Sequence, residues 1–407
     1  MVLVSTFEVE AWMDKHEEYA KYNVAETCAA SISVDDLVAL ADSPLENPLQ
    51  SKTKLTYGSI RGSQQLRSNL AGLYSAKSTH LLSPENVLIT PGAIAANFLA
   101  LYTFVNPGDH VICHYPTYEQ LYKVPAALGA EVSLWKSDES KGWALSIDEL
   151  EQLVQPGKTK LLIINNPQNP TGAVIPKDTL YDMVNLCRLH SITILSDEVY
   201  RPLFHGITPM DKAFPPSAIN LGYDNVVVTG SMSKAYSLAG IRLGWIASKN
   251  DQIIEKLAEA RHYTNISVSQ IDDAVAATAL SENCIHALLG RNIQLAKSNL
   301  QLLDEFVESH RWACSWTKPV AGTTAFVKFS KMGKAIDDVA FCEALMEKKG
   351  VLFAPGCKCF GQGEDFKGYV RIGFVQEAQV LSEGLQALRE FMEDDYEMIP
   401  TVKKPKV

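Results

Sequence analysis

The stretch NVVVTGSMSKAYSLAGIRLGWIA, residues 225–247, frames the reading of the chain. It opens on three consecutive valines and closes on LGWIA (243–247). Short β-branched and apolar runs of this kind form buried strands. Between them stand Ser231, Ser233, Lys234 and Arg242. A strand therefore delivers two hydroxyls and a lysine into a turn, and an arginine follows before the next strand.

Outward from this segment the same pattern recurs. VLIT (87–90), HVICHY (110–115), EVSLW (131–135), LLIIN (161–165) and ITILSDE (192–198) are apolar runs separated by helical stretches, the first of these over Ala93–Val105. The spacing predicts an α/β fold with a largely parallel sheet. In such a sheet the ligand lies beyond the carboxyl ends of the strands. Thr90-Pro91-Gly92, Asn165 to Gly172, Asp197-Glu198 and Ser231 to Lys234 fall there. Near residue 280 the pattern changes to a long helical stretch, AFVKF, YVRIGF and a terminal helix near 379–393, which predicts a smaller α/β domain. The expected organisation is an N-terminal segment (1–44) packed with the small domain, a large domain (45–280), the small domain (281–395) and a fraying tail (396–407).

The chain has 407 residues and a net charge of 37 − 47 = −10. An acidic chain matches neither nucleic acid nor an anionic membrane surface. The start, MVLVSTFEVE, is not a secretory signal, and AIAANFLALYTFV (93–105) is too short to span a bilayer and carries Asn97. Eight scattered cysteines without C-x-x-C or paired zinc spacing read as reduced, mostly buried thiols of a cytoplasmic protein, with no metal site. Gly361-Gln362-Gly363 lacks the third glycine and the strand–helix frame of a nucleotide loop.

A lysine just past a strand is most often a solvated charge. Two chemical alternatives compete with that. Ser231-Met232-Ser233-Lys234 fits S-x-x-K, but the S-D-N and K-T-G partners of that hydrolase motif are missing, and Ser196-Asp197 runs on into Glu198. The other is a Schiff-base lysine with hydroxyls and an arginine holding a phosphate.

Four more segments decide between them: YGSIRGSQQLR (57–67), NNPQNPTG (165–172), SDEVYRPLF (196–204) and APGCKCFG with YVRIGF (354–374). With the lysine segment, and in this order, they resemble fold-type I pyridoxal-phosphate (PLP) enzymes of the class I/II aminotransferase family, over roughly residues 50–390. The resemblance implies a large domain with a mostly parallel seven-stranded sheet plus a smaller α/β domain, and a homodimer with a shared active site. It implies that Lys234 forms the Schiff base and shuttles the substrate proton. Asp197 would face the pyridine nitrogen, with Tyr200 and Asn169 at the ring oxygen. Ser231, Ser233, Arg242 and the Gly92–Ala93 amides would hold the phosphate, and Tyr118 would stack on the ring. Tyr57 would reach the phosphate from the neighbouring subunit. Arg371 would grip the α-carboxylate of an L-amino acid, with Asn169 beside it. Transamination through an aldimine and a quinonoid is the implied reaction.

One segment departs from ordinary aminotransferases. YNVAETCAASISVDDL (22–37) stands where a Gly/Pro-rich stretch is usual, and it resembles capreomycidine-synthase-type PLP enzymes, which act on modified arginines by elimination and cyclisation. Glu26, Thr27 and Ser31 are thus candidate substrate contacts. The plainer alternative is a polar loop capping a helix that begins near Ser33-Val34-Asp35-Asp36. A PLP lyase or cyclase is the second functional expectation, and a non-catalytic binding protein of the same fold the third.

Overall fold

The computed structural model describes residues 5–49, 54–76, 78 and 81–402. A short strand, β1 (Tyr22–Asn23), is followed by the seven strands of the main sheet: β2 (Val87–Thr90), β3 (His110–Tyr115), β4 (Glu131–Lys136), β5 (Thr159–Asn165), β6 (Thr193–Asp197), β7 (Val226–Ser231) and β8 (Gly244–Ala247). Their order across the sheet is β2-β8-β7-β6-β5-β3-β4, and only β8 runs against its neighbours. Each predicted apolar run is one of these strands.

The strands are apolar on both faces because both faces are covered. Leu88, Val111, Leu161, Leu195 and Ile246 pack on one side; Ile89, Ile112, Leu162, Ile194, Val228 and Trp245 pack on the other. Fully burying each such side chain is worth about 1.5–3 kcal/mol.

A second sheet is built from β9 (Cys314–Trp316), β10 (Thr324–Lys331), β11 (Lys334–Ala335), β13 (Ala354–Pro355) and β14 (Tyr369–Gly373), while β12 (Val351–Leu352) pairs in parallel with β1. Its core includes Phe326, Phe341, Leu345 and Phe391. Val9 and Trp12 of the helix Glu8–His16 join this core, and Trp12 Nε1 donates to the Phe353 carbonyl at 2.8 Å. The helix Glu282–Ser309 serves both regions, with Cys284 and Leu288 in the main-sheet core and Ala296, Leu303 and Phe306 in the other.

Two sequence expectations are corrected here. The tail was expected to fray after residue 395, yet Tyr396 is fully buried against Phe341 and Val402 N–H donates to Ala335 at 2.9 Å. Its aromatic and apolar residues have a core to join; residues 403–407 lie outside those described. Ser31 was a candidate substrate contact but is exposed. Ala29 N–H is tied to the Lys234 carbonyl and Ala30 N–H to Val375, which turns the backbone out of the site before Ser31. The helix cap expected next does form: Ser33 and Asp36 make a reciprocal capping box. All eight cysteines are free, and seven are buried.

Candidate active site

The carboxyl ends of the strands converge because their register aligns them. Asn165 on β5 lies beside Asp197 on β6, Asp197 beside Thr229 on β7, and Ser231 beside Gly244 on β8. Over these ends lies a cavity of about 550 Å³. It is lined by Glu26, Thr27, Ala93, Tyr118, Asn169, Asp197, Tyr200, Ser231, Ser233, Lys234, Arg242 and Arg371, so almost every predicted site residue meets there. Gly92 sits just behind the wall, against the Arg242 side chain. Tyr57 does not reach the cavity of its own chain and is 81% exposed.

Asp197 is 4% exposed and held by two neutral donors. Asn97 Nδ2 donates to one oxygen at 2.9 Å and Val199 N–H to the other at 3.1 Å. Asn97 is itself oriented by the Thr229 hydroxyl at 2.7 Å. Burial pushes the Asp197 carboxyl up to about 6, against those donors.

Lys234 Nζ donates to Thr27 Oγ1 at 2.6 Å and lies 3.7 Å from Glu26 Oε1. Burial works to lower its ammonium, but Cys28, Glu26 and Tyr200 prevail and hold it above the ordinary lysine value. Burial would raise Glu26; the Lys234 charge and the N–H groups of Cys28 and Thr27 instead bring it down to about 2. Desolvation raises the Tyr200 phenol above its usual value, against Lys234 and Arg371. Burial likewise lifts the Cys28 thiol to about 11.

At one end, Ser231 Oγ donates to Ser233 Oγ at 2.9 Å, and Arg242 Nη1 reaches Ser233 Oγ at 3.5 Å. The helix Gly92–Phe104 begins beside them. A side chain at Gly244 would meet Gly92 C at 2.5 Å and Ala93 N at 2.6 Å, so only glycine lets that helix start so close. Two hydroxyls, a guanidinium and a helix N-terminus form an anion cradle.

Arg371, on β14, is 4% exposed. Its Nη2 donates to the Ala25 carbonyl at 2.9 Å and its Nη1 to Asn169 Oδ1 at 3.4 Å, while Nε has no partner. The guanidinium lies 5.2 Å from the Phe360 ring centroid. A buried cation with neutral partners and one idle donor fits an incoming carboxylate.

The N-terminal segment is bound tightly over the site. A side chain at Gly373 would overlap the Glu26 carbonyl at 1.7 Å, Gln376 Nε2 donates to that carbonyl at 3.0 Å, and Thr323 donates to the Thr27 carbonyl at 2.6 Å. Phe7, Glu10, Met13 and Glu17, on or next to the first helix, close the cavity from above, and Tyr118 donates to Glu10 at 2.5 Å. Burial and the neighbouring carboxylates of Glu26, Glu10 and Asp14 raise Glu17.

Sequence reading missed Asn97, Cys28 and this helix. Asn97 left a trace, a lone amide in an apolar helix; Glu10 and Glu17 left none, because a charged helix face usually faces water.

A strand-end lysine, a buried aspartate and an anion cradle beside an α/β sheet define a PLP-type transferase fold. Residues 36–388 match the family model for aminotransferase class I and II, and the chain belongs to that family. It is similar to a PLP-dependent aminotransferase structure from Streptococcus suis 89-1591, with a TM-score of 0.86 and 38% identity over 96% of this chain and 98% of that one. It is 28% identical to capreomycidine synthase from Streptomyces vinaceus, over 94% of this chain and 92% of the relative. It is also 28% identical to aspartate aminotransferase from Thermotoga maritima, over 84% of each chain. The family's cofactor is pyridoxal phosphate, and the cavity fits it: the cradle suits its phosphate, and the raised Asp197 lacks the cationic partner that a pyridinium provides. Among the described residues no acid, histidine or cysteine cluster could hold a metal, and no helix is long and apolar enough to cross a membrane.

Proposed function

We propose that the enzyme transaminates an L-amino acid, with Lys234 carrying the cofactor and moving the substrate's Cα proton. The observation that carries this is the pairing of Arg371, with its idle Nε, and Lys234 in one cavity. Arg371 takes the α-carboxylate and so sets which substrate bond faces Lys234. Bound pyridoxal phosphate supplies the electron sink for the carbanion at Cα. The Lys234 amine would accept the Cα proton and redeliver it to the carbon on the far side of the amino nitrogen, two atoms from Cα. Asp197, fixed by Asn97, would hold a proton on the cofactor's ring nitrogen. Tyr200 and Asn169 donate to the ring oxygen, and Tyr118 packs on the ring. Ser231, Ser233, Arg242 and the amides of Gly92 and Ala93 bind the phosphate. Tyr57 serves the phosphate of a second copy. The exposed Phe98 and Tyr102, on the helix that starts at Gly92, support such a homodimer.

A second reading is favoured by the acidic wall of Glu10, Glu17 and Glu26 in the same cavity. It suits a cationic side chain, and the chain is similar to capreomycidine synthase across its length. Loss of a substituent from the carbanion would then give a lyase or cyclase acting on a guanidino amino acid.

A panel of apolar, acidic and guanidino amino acids, hydroxylated arginine included, is offered to the loaded enzyme together with a 2-oxo acid as the acceptor of the amino group, and is scored for the new keto acid and for ammonia release. Keto acid alone supports the transaminase. Ammonia or a cyclised product from the guanidino substrates alone supports the second reading. Lys234→Ala lowers turnover by roughly 10²–10⁴-fold. Borohydride fixes the cofactor to the wild type at Lys234; absence of that adduct overturns both readings.

A further inference from the structure

A second cavity of about 530 Å³ lies away from the first. Its walls are aromatic: Tyr74, Phe204, Phe214, Tyr236 and Trp245 all line it. Phe204 and Phe214 lie 4.7 Å apart between ring centroids, and Trp245 Nε1 donates to Tyr74 Oη at 3.0 Å, which fixes the indole.

Its charge runs against that of the chain. The whole chain carries −10, yet Lys177, Arg201 and Lys212 line this cavity against the single carboxylate of Asp211. Asp211 is engaged elsewhere, accepting from the Thr208 N–H at 2.6 Å and the Thr208 hydroxyl at 2.8 Å. Arg201 lies 4.9 Å from the Phe204 ring centroid and is anchored from behind by Glu198 at 3.1 Å. The two lysines are exposed at the rim. Tyr236 is fully buried, and its hydroxyl has no hydrogen-bond partner. A phenol so placed is costly unless something completes it.

We infer that this cavity is a second binding site, for a small aromatic carboxylate. Aromatic walls take the ring, and the cations with the Tyr236 hydroxyl take the carboxylate. The site backs onto the catalytic segment: Arg201 follows Tyr200, Tyr236 is two residues beyond Lys234, and the Trp245 ring presses on Gly230 of β7. Its ligand is independent of what the active site transforms.

Calorimetric titration of the PLP-loaded full chain with 2-naphthoate tests this, with 2-naphthylmethylamine as the same ring bearing the opposite charge. The expected result is saturable binding of naphthoate at one site per chain, and none of the amine. The double variant Lys177→Glu/Lys212→Glu weakens it by about tenfold or more, an effect of ~1.4 kcal/mol. Phe214→Ala and Tyr236→Phe each weaken it severalfold, and Arg371→Lys leaves it unchanged. Retained visible absorbance of the cofactor shows that each variant is folded. No saturable binding, equal binding of the amine, binding that none of the cavity variants moves, or binding lost in Arg371→Lys overturns the proposal.

Discussion

The strand-end floor and the N-terminal cover of the active site each present a carboxylate, and the two are opposites. Asp197, on the floor, is surrounded by neutral donors and pushed up to about 6 by burial. Glu26, on the cover, feels burial too, yet Lys234 and two backbone N–H groups bring it down to about 2. Both are acids in one cavity; what differs is whether the protein supplies the countercharge. Glu26 has its countercharge within the chain. Asp197 does not, and it is the floor that matches a cationic ring nitrogen.

The sharpest way to break this contrast is Asp197→Asn. It removes the floor's charge at nearly constant shape, and its one amide oxygen accepts from Asn97 or from Val199 but not from both. Turnover is expected to fall roughly 10²–10³-fold, the usual cost of losing one preorganised electrostatic partner. The wild-type floor also has a pH signature. Asp197 is neutral below about 6 and charged above it, so affinity of the cofactor-free chain for pyridoxal phosphate rises with pH through that value. In Asp197→Asn the rise with pH is shallower, because only the proton lost from Lys234 on forming the Schiff base remains. An absorbance titration at several pH values distinguishes the two, and an unchanged wild-type affinity from pH 5 to 7, roughly the window around this transition, would refute the role.

The seam between the main-sheet region and the second-sheet region beside the site gives the next effect. His205 is buried where Phe204–Gly206 meets Val320–Gly322, edge-on to Phe374 at 5.5 Å, with neither ring nitrogen partnered. Burial lowers it to about 4. Its unfolded value is near 6.5, so between those values the unfolded chain binds the extra proton. Stability from this residue is therefore complete above about 6.5 and is lost as pH falls to about 4. His205→Phe should recover at most about 3 kcal/mol at the acid end and change little at pH 7. Denaturant midpoints measured across this range check it; parallel loss in both proteins would rule it out.

Glu26→Gln probes the cover and carries the smallest expected effect. With its carboxylate neighbour gone, the Lys234 ammonium of the cofactor-free chain loses its proton at lower pH, so the chain takes up pyridoxal phosphate at lower pH. For a cationic amino acid KM rises about tenfold, or ~1.4 kcal/mol, with kcat nearly constant. An apolar amino acid shows little change. Equal loss for both substrate classes would mean that Glu26 positions Lys234 without contacting substrate.

Legibility in the sequence followed the same division. All seven main strands were readable, because strands buried on both faces must be nearly continuous apolar runs. That Lys234, Asp197, Asn169, Tyr200 and Arg242 share one cavity was readable because they lie at strand ends or in the turns after them, within segments whose order resembles one family. The cover was read only in part. Glu26 and Thr27 do line the cavity, while Ser31, four residues further on, does not; the difference is a pair of backbone hydrogen bonds at Ala29 and Ala30 that no pattern encodes. Asn97 looked like an oddity in a core helix until the fold set it against Asp197.

By itself the sequence determined the α/β sheet, the strand-end lysine and the family, because periodicity and local motifs are carried by neighbours in the chain. Only the tertiary structure decided how the charges are met. Lys234 reaches Thr27 across 207 positions, Arg371 reaches Ala25 across 346, and Asn97 reaches Asp197 across 100. Burial and countercharge at such distances arise from packing, and they set which carboxylate waits for a ligand and which does not.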